Sequence, residues 1–208
     1  MKQNAKLIII GCNTASSISA NQLREKCDCP VIDVIEPAAI KAVNVSESKR
    51  IGVIGTPGTI ASGSYANCIS SIDPEIELFS KACPLFVPLV EEGILEGEIV
   101  DLAIDRYLSS MRQSGIDTLV LGCTHYPLLK ESISSYFGSN VRVVDSGEEA
   151  ANAALIELER LGMLCSSVDS KDSSVDSFFV TETTEHFEKI AAPFLGKDAI
   201  NAIRVHNL

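Results

Sequence analysis

Short apolar runs alternate with longer stretches of helical period along this sequence. Residues 7–10, 51–54, 118–121 and 141–144 are rich in Ile, Val and Leu and are bounded by Gly, Asn or Asp on at least one side, the pattern of short buried strands. Residues 30–35, 76–79, 178–180 and 203–205 read as further strands. Between them, residues 99–114 carry apolar side chains at 99, 100, 102, 103, 104, 107, 108 and 111, a helix spacing ended by Gly115. Helices are also expected from a cap at Thr14 or Ser16 through Lys26, and over 38–43, 60–69, 127–137, 150–161 and 185–191. Residues 46–50 form a polar linker. Residues 83–93, with Pro84 and Pro88, read as a loop leading into a helix, and the Ser- and Asp-rich stretch 166–177 reads as a surface loop. Strands alternating with helices predict an α/β fold with a largely parallel, doubly wound sheet.

The chain has 208 residues, 46% hydrophobic and 22% charged, enough for one domain or two small ones. A net charge of −11 argues against nucleic acid and against an anionic membrane surface as partners. No run approaches the ~18 apolar residues of a membrane span, and residues 7–10 are too short for a secretory signal, so a cytoplasmic protein is expected. Seven cysteines without a Cys-x-x-Cys, beside three histidines, read as free thiols rather than a disulfide frame or a structural zinc site. Cys27, Cys29, Cys68, Cys83 and Cys165 read as small apolar fillers.

Two cysteines stand apart. Lys6-Leu-Ile-Ile-Ile-Gly-Cys-Asn-Thr14 and Asp117-Thr-Leu-Val-Leu-Gly-Cys-Thr-His125 repeat one pattern about half the chain apart. Each puts a thiol at the carboxyl end of a strand, where open α/β sheets bind ligands. Two thiols facing one cleft suggest a pair of bases. Asn13, Thr14, Thr124 and His125, with the amides of the following helices, suit a small anionic ligand carrying carboxylates. Ile51-Gly-Val-Ile-Gly-Thr-Pro-Gly58 has the wrong glycine spacing for a dinucleotide loop and is followed by no suitably placed acid.

Gly11-Cys-Asn-Thr-Ala-Ser16, Gly122-Cys-Thr-His-Tyr-Pro127 and Val53-Ile-Gly-Thr-Pro-Gly-Thr-Ile60 resemble the motifs of the aspartate/glutamate racemase superfamily. Asp145-Ser-Gly147 and Cys83-Pro-Leu-Phe-Val-Pro-Leu-Val-Glu91 point within it to the bacterial glutamate racemases, over essentially the whole chain. The resemblance implies two pseudo-symmetric doubly wound lobes with a cleft between them: 1–35 plus 150–208, and 36–149. It implies cofactor-independent proton transfer at Cα of glutamate, with no metal, in a cell-wall biosynthetic role supplying D-glutamate for peptidoglycan. Cys12 and Cys123 would be the opposed bases, and a free thiol can be tuned toward working pH for that task. His125 would assist Cys123. Asn13, Thr14 and Thr124 would hold the substrate. Thr56 and Thr59 would grip a carboxylate, or else simply cap a helix. Glu91 would orient His125 or the substrate ammonium, or else be a solvated helix start. Asp145-Ser-Gly147 is expected to close a turn and cap the following helix, outside the site. Glutamate is the expected partner, with a homodimer left open as the assembly.

The family opens with a strand bearing Asp-Ser and a loop bearing Tyr-Gly, both ahead of the Cys-Asn-Thr block. This sequence has neither, and residues 1–6 read as the last turn of a helix. The first lobe is therefore expected to be N-terminally incomplete, through a misassigned start, a natural truncation or an engineered one. A racemase for aspartate or another amino acid, or an inactive remnant that binds a ligand or partner without turnover, are the rival expectations.

Overall fold

Each strand pairing is parallel, which requires a crossover between paired strands and explains the regular alternation in the sequence. The computed structural model describes residues 5–164, with the backbone of strands 178–180 and 203–205. Met1–Leu164 and Cys165–Leu208 form two separate units. In the second, β7 (Phe178–Val180) pairs with β8 (Ile203–Val205), both as expected. The expected loop 166–177, the helix 185–191, Cys165, His186 and His206 lie outside the described residues, as do residues 1–4.

The first unit contains β1 (Ile8–Ile10), α1 (Asn13–Lys26), β2 (Val31–Asp33) and α2 (Ile35–Val45). These are followed by β3 (Arg50–Gly55), α3 (Pro57–Ala61), α4 (Ser64–Ile72), β4 (Glu77–Ala82), α5 (Phe86–Glu91) and α6 (Glu98–Gln113). Then come β5 (Thr118–Gly122), a 3-10 turn over Tyr126–Leu129, α7 (Lys130–Phe137), β6 (Arg142–Asp145) and α8 (Ser146–Arg160). β1 and β2 make a small sheet of their own. The other four strands are ordered β4-β3-β5-β6.

Both faces of the four-stranded sheet are covered, so its central strands are apolar on both sides. Ile51, Val53, Val120 and Val144 face α2 and α4. Ile54, Leu119 and Leu121 face α5, α6 and α7. Full burial of each such side chain stabilises by roughly 1.5–3 kcal/mol relative to exposure. β1 has a smaller core of Ile10, Ala20 and Val31.

Several elements differ from expectation for local reasons. Residues 83–93 are not all loop: Pro88 lies in the first turn of α5, where its missing N–H costs nothing. The helix expected over 60–69 is two helices, broken at Gly63 with φ 68°. α1 is capped by neither Thr14 nor Ser16. Cys12 occupies that position, its Sγ accepting from the Ala15 amide at 3.5 Å, while the Ser16 hydroxyl turns back to the Ile10 carbonyl. Among the described residues no helix is long and apolar enough to cross a membrane.

At the amino end of β5, Asp117 holds the polar linker to the sheet. Its carboxylate accepts from the Ser46 hydroxyl at 2.7 Å and from the amides of Glu47 and Ser48 at 2.7 and 2.5 Å. Burial alone would raise its pKa, but these donors outweigh burial and bring it down from 3.8 to about 2. A depressed folded-state pKa gives stability that is full above the ordinary value and lost as pH falls through about 2. Asp117→Asn should cost about 1 kcal/mol at neutral pH, allowing for partial solvent screening. It should also flatten the acid limb of stability in urea melts. An unchanged acid limb would show that the carboxylate does not carry this dependence.

Candidate active site

The strand order reverses direction between β3 and β5, and ligands of open α/β sheets bind at the carboxyl ends of the strands flanking that point. Here β3 runs into Thr56 and β5 into Cys123, with Gly55 in register with Gly122. The second glycine is required by space: a Cβ on Gly122 would lie 2.7 Å from the Ile54 carbonyl oxygen and 3.0 Å from the Tyr65 ring. β1 delivers Cys12 to the start of α1 in the same strand-to-helix manner.

Thr14, from α1, meets the Thr56-Pro-Gly-Thr59 turn. Its hydroxyl lies 2.9 Å from that of Thr56 and 3.1 Å from that of Thr59, and those two are 3.1 Å apart. The three form a closed triangle. Thr56 also caps α3 through the Thr59 amide, and Pro57 occupies the first helical position. Gly58 makes room, since a Cβ there would come within 3.3 Å of the Thr14 methyl. Of these two threonines Thr56 caps the helix, and both place their hydroxyls against that of Thr14.

Cys123 is 6% exposed and Cys12 is exposed. Burial raises the Cys123 pKa, the amides of His125 and Tyr126 partly offset this, and the charge of Cys12 raises it further. His125 Nδ1 stands 3.9 Å from Cys123 Sγ, and its Nε2 is 3.3 Å from Glu91 Oε1. α5 brings Glu91 there. The buried Tyr126 hydroxyl donates to the Cys83 carbonyl at 2.9 Å, and its ring meets Phe86 edge-to-face at 5.2 Å, so the start of α5 is fixed to the turn bearing His125.

Asn13 is only 2% exposed, and its amide is engaged within the protein. Nδ2 donates to Ser146 Oγ at 3.1 Å and Oδ1 accepts the Tyr65 hydroxyl at 2.7 Å. Thr124 lies exposed on the turn after Cys123. The structure thus gathers Thr14, Thr56 and Thr59 in one cluster and Cys123, His125 and Glu91 in another, with Asn13 beneath.

A family model described as Asp/Glu/Hydantoin racemase matches residues 1–154. The chain belongs to this family. Membership makes it an isomerase acting on amino acids. A glutamate racemase of Geobacter metallireducens is 44% identical over 194 residues, 93% of this chain and 71% of that protein. One from Sulfurihydrogenibium is 40% identical over 206 residues, 99% of this chain and 75% of the relative. Among solved structures, a glutamate racemase isoform from Bacillus anthracis aligns at 34% identity with a TM-score of 0.87, covering 98% of this chain and 73% of that one. A glutamate racemase from Francisella tularensis in complex with D-glutamate aligns at 34% identity with a TM-score of 0.85, covering 98% and 73%. The α/β fold with parallel sheets read from the sequence is that of these racemases.

Two residues about this site escaped the sequence. Ser146 was masked by its neighbour: Asp145 does cap α8, accepting from Gly147 and Glu148, while Ser146 turns inward to Asn13. Tyr65 lies on α4, with no sequence signal beyond a lone aromatic.

The two Gly-Cys corners differ in packing, because among the described residues no heavy atom beyond its chain neighbours lies within 4 Å of where a Gly11 Cβ would stand. Gly122→Ala should therefore cost about 1–3 kcal/mol in denaturant unfolding, and Gly11→Ala should stay within about 0.5 kcal/mol of the parent. Equal losses would contradict the crowding at Gly122.

Proposed function

We propose that this protein interconverts L- and D-glutamate by proton transfer between two cysteines, supplying D-glutamate for peptidoglycan in the cytoplasm. The observation that carries the reading is the pair of Gly-Cys strand ends: one thiol is held beside His125, and the other begins α1, whose Thr14 meets the turn after β3. The high identity to glutamate racemases supports glutamate as the substrate.

Inversion at carbon needs a base on one face and an acid on the other. One thiolate removes the α-proton, and the electron pair left at Cα is delocalised into the substrate carboxylate. The opposite thiol then delivers its proton to the other face. Charge is conserved throughout, since one sulfur is anionic before the reaction and the other after it. The proton-transfer geometry asks for reacting atoms about 3–3.5 Å apart on each side. In this reading the Thr14, Thr56 and Thr59 hydroxyls receive a substrate carboxylate, with Thr124 at the rim. Asn13 supports this wall from beneath, and its second Nδ2 proton is its remaining donor to a ligand. Glu91 orients His125, which assists Cys123. The lobes proposed with this reading are 1–35 plus 150–208, and 36–149.

Cys12→Ala and Cys123→Ala should each abolish racemisation in both directions, measured by the change in optical rotation. Solvent deuterium should enter Cα of either enantiomer with the parent. Normal racemisation by both variants would refute the two-base proposal. The active form carries one thiolate and one thiol, so kcat/KM should be bell-shaped in pH. Because Cys123 is raised, the doubly ionised form accumulates late, and the alkaline limb should lie above the ordinary thiol value of about 8.5. An alkaline limb below that value would count against the pairing.

A further inference from the structure

A buried run of hydrogen bonds joins the two Gly-Cys corners without involving either sulfur. It begins at Asn13, the residue after Cys12, and ends on the Leu121 carbonyl, two residues before Cys123. Ser146 Oγ gives its one proton to that carbonyl at 2.9 Å, so it must accept from Asn13 Nδ2. That fixes the amide's orientation and leaves Oδ1 to receive the Tyr65 hydroxyl. Asn13, Tyr65 and Ser146 are 2%, 3% and 1% exposed. Tyr65 reaches both corners, because its ring also packs against Gly122.

A buried polar trio is seldom more stabilising than apolar packing of the same shape, but once satisfied it selects one geometry. Among the described residues, the exposed Cys12 sulfur is tied through the 3.5 Å contact to the Ala15 amide of its own helix. Among the described residues, none beyond its chain neighbours fills the space where a Gly11 Cβ would be. Side-chain ties from this corner to the larger sheet run through Thr14 to the turn after β3 and through Asn13 to the end of β5.

We infer that Tyr65 and Ser146 are positioning residues that clamp Asn13 to the end of β5 and thereby set the separation of the Cys12 and Cys123 thiols. This rests on the two thiols acting as a pair of bases. A clamp of this kind affects the turnover step more than binding, because both proton transfers depend on one sulfur-to-sulfur span.

Tyr65→Phe removes one oxygen and keeps the ring, and Ser146→Ala removes the other link. Both are compared with a variant at Ile104, a buried α6 residue, truncated to Val or Ala to match their Tm. Each clamp variant should lower kcat on both enantiomers about ten-fold or more, with KM within about two-fold of the parent. The Ile104 variant should keep its kcat. A second arm needs no turnover: Cys123 alkylation by iodoacetamide, read by peptide mass spectrometry, should be about three-fold faster or more in Tyr65→Phe than in the Ile104 variant. Parent-like kcat in the clamp variants, or Cys123 labelling at the Ile104 variant's rate, overturns the clamp. If the parent fails to racemise glutamate, the functional reading falls by itself and the alkylation arm decides the clamp.

Discussion

The pairing of β3 with β5 ends with Gly55 opposite Gly122, and the site is built outward from that close approach of two backbones. Because Gly122 has no side chain, the Ile54 carbonyl and the Tyr65 ring can both press against it. β5 then emerges beside β3 with its thiol on the face of α5, and β3 emerges with its threonine turn directed at α1. A side chain at that position would push the strands apart where their ends must cooperate. The parallel sheet supplies direction, and the glycine supplies proximity.

Burial and polarity are balanced around this point. Among the described residues, no buried side-chain nitrogen or oxygen lacks a hydrogen-bond partner, although Asn13, Thr59 and Ser146 are almost wholly enclosed. Each of these groups would be costly if left alone. Their partners come from segments distant in the chain, so the enclosure holds only when α1, α4, α8 and β5 are assembled together. At the opposite end of β5 the Asp117 carboxylate likewise gathers its donors from far along the chain, in the short linker before β3, 69–71 positions away.

What could be read from the sequence follows the range of the forces involved. β3 and β5 were legible because both faces of these strands are buried, giving continuous apolar runs. α6 was legible because its stripe faces one core. Thr56 and Thr59 could be read either as caps or as ligand groups; Thr56 caps α3 through the Thr59 amide, and both hydroxyls gather with that of Thr14. α5 was obscured by Pro84 and Pro88, since a proline in a first helical turn looks the same as one in a loop. The Cys12 cap was missed because thiols are seldom counted among capping groups. Tyr65 and Ser146 were beyond reach, because their significance lies in contacts spanning 52 and 133 positions to Asn13.

The threonine triangle has a consequence for a catalyst that must accept a molecule and its mirror image in one pocket. A hydroxyl both gives and receives a hydrogen bond, and exchanges those roles by rotating about its C–O bond while its oxygen stays in place. Three hydroxyls in a closed ring can circulate their protons in either sense at nearly equal energy. Under the proposed reading, an arriving carboxylate opens the ring and receives the proton of whichever hydroxyl it meets, while the three oxygens keep their places. Fixed-direction donors would discriminate between the two approaches. Rotatable ones leave both open, so the same three oxygens can serve a molecule and its mirror image.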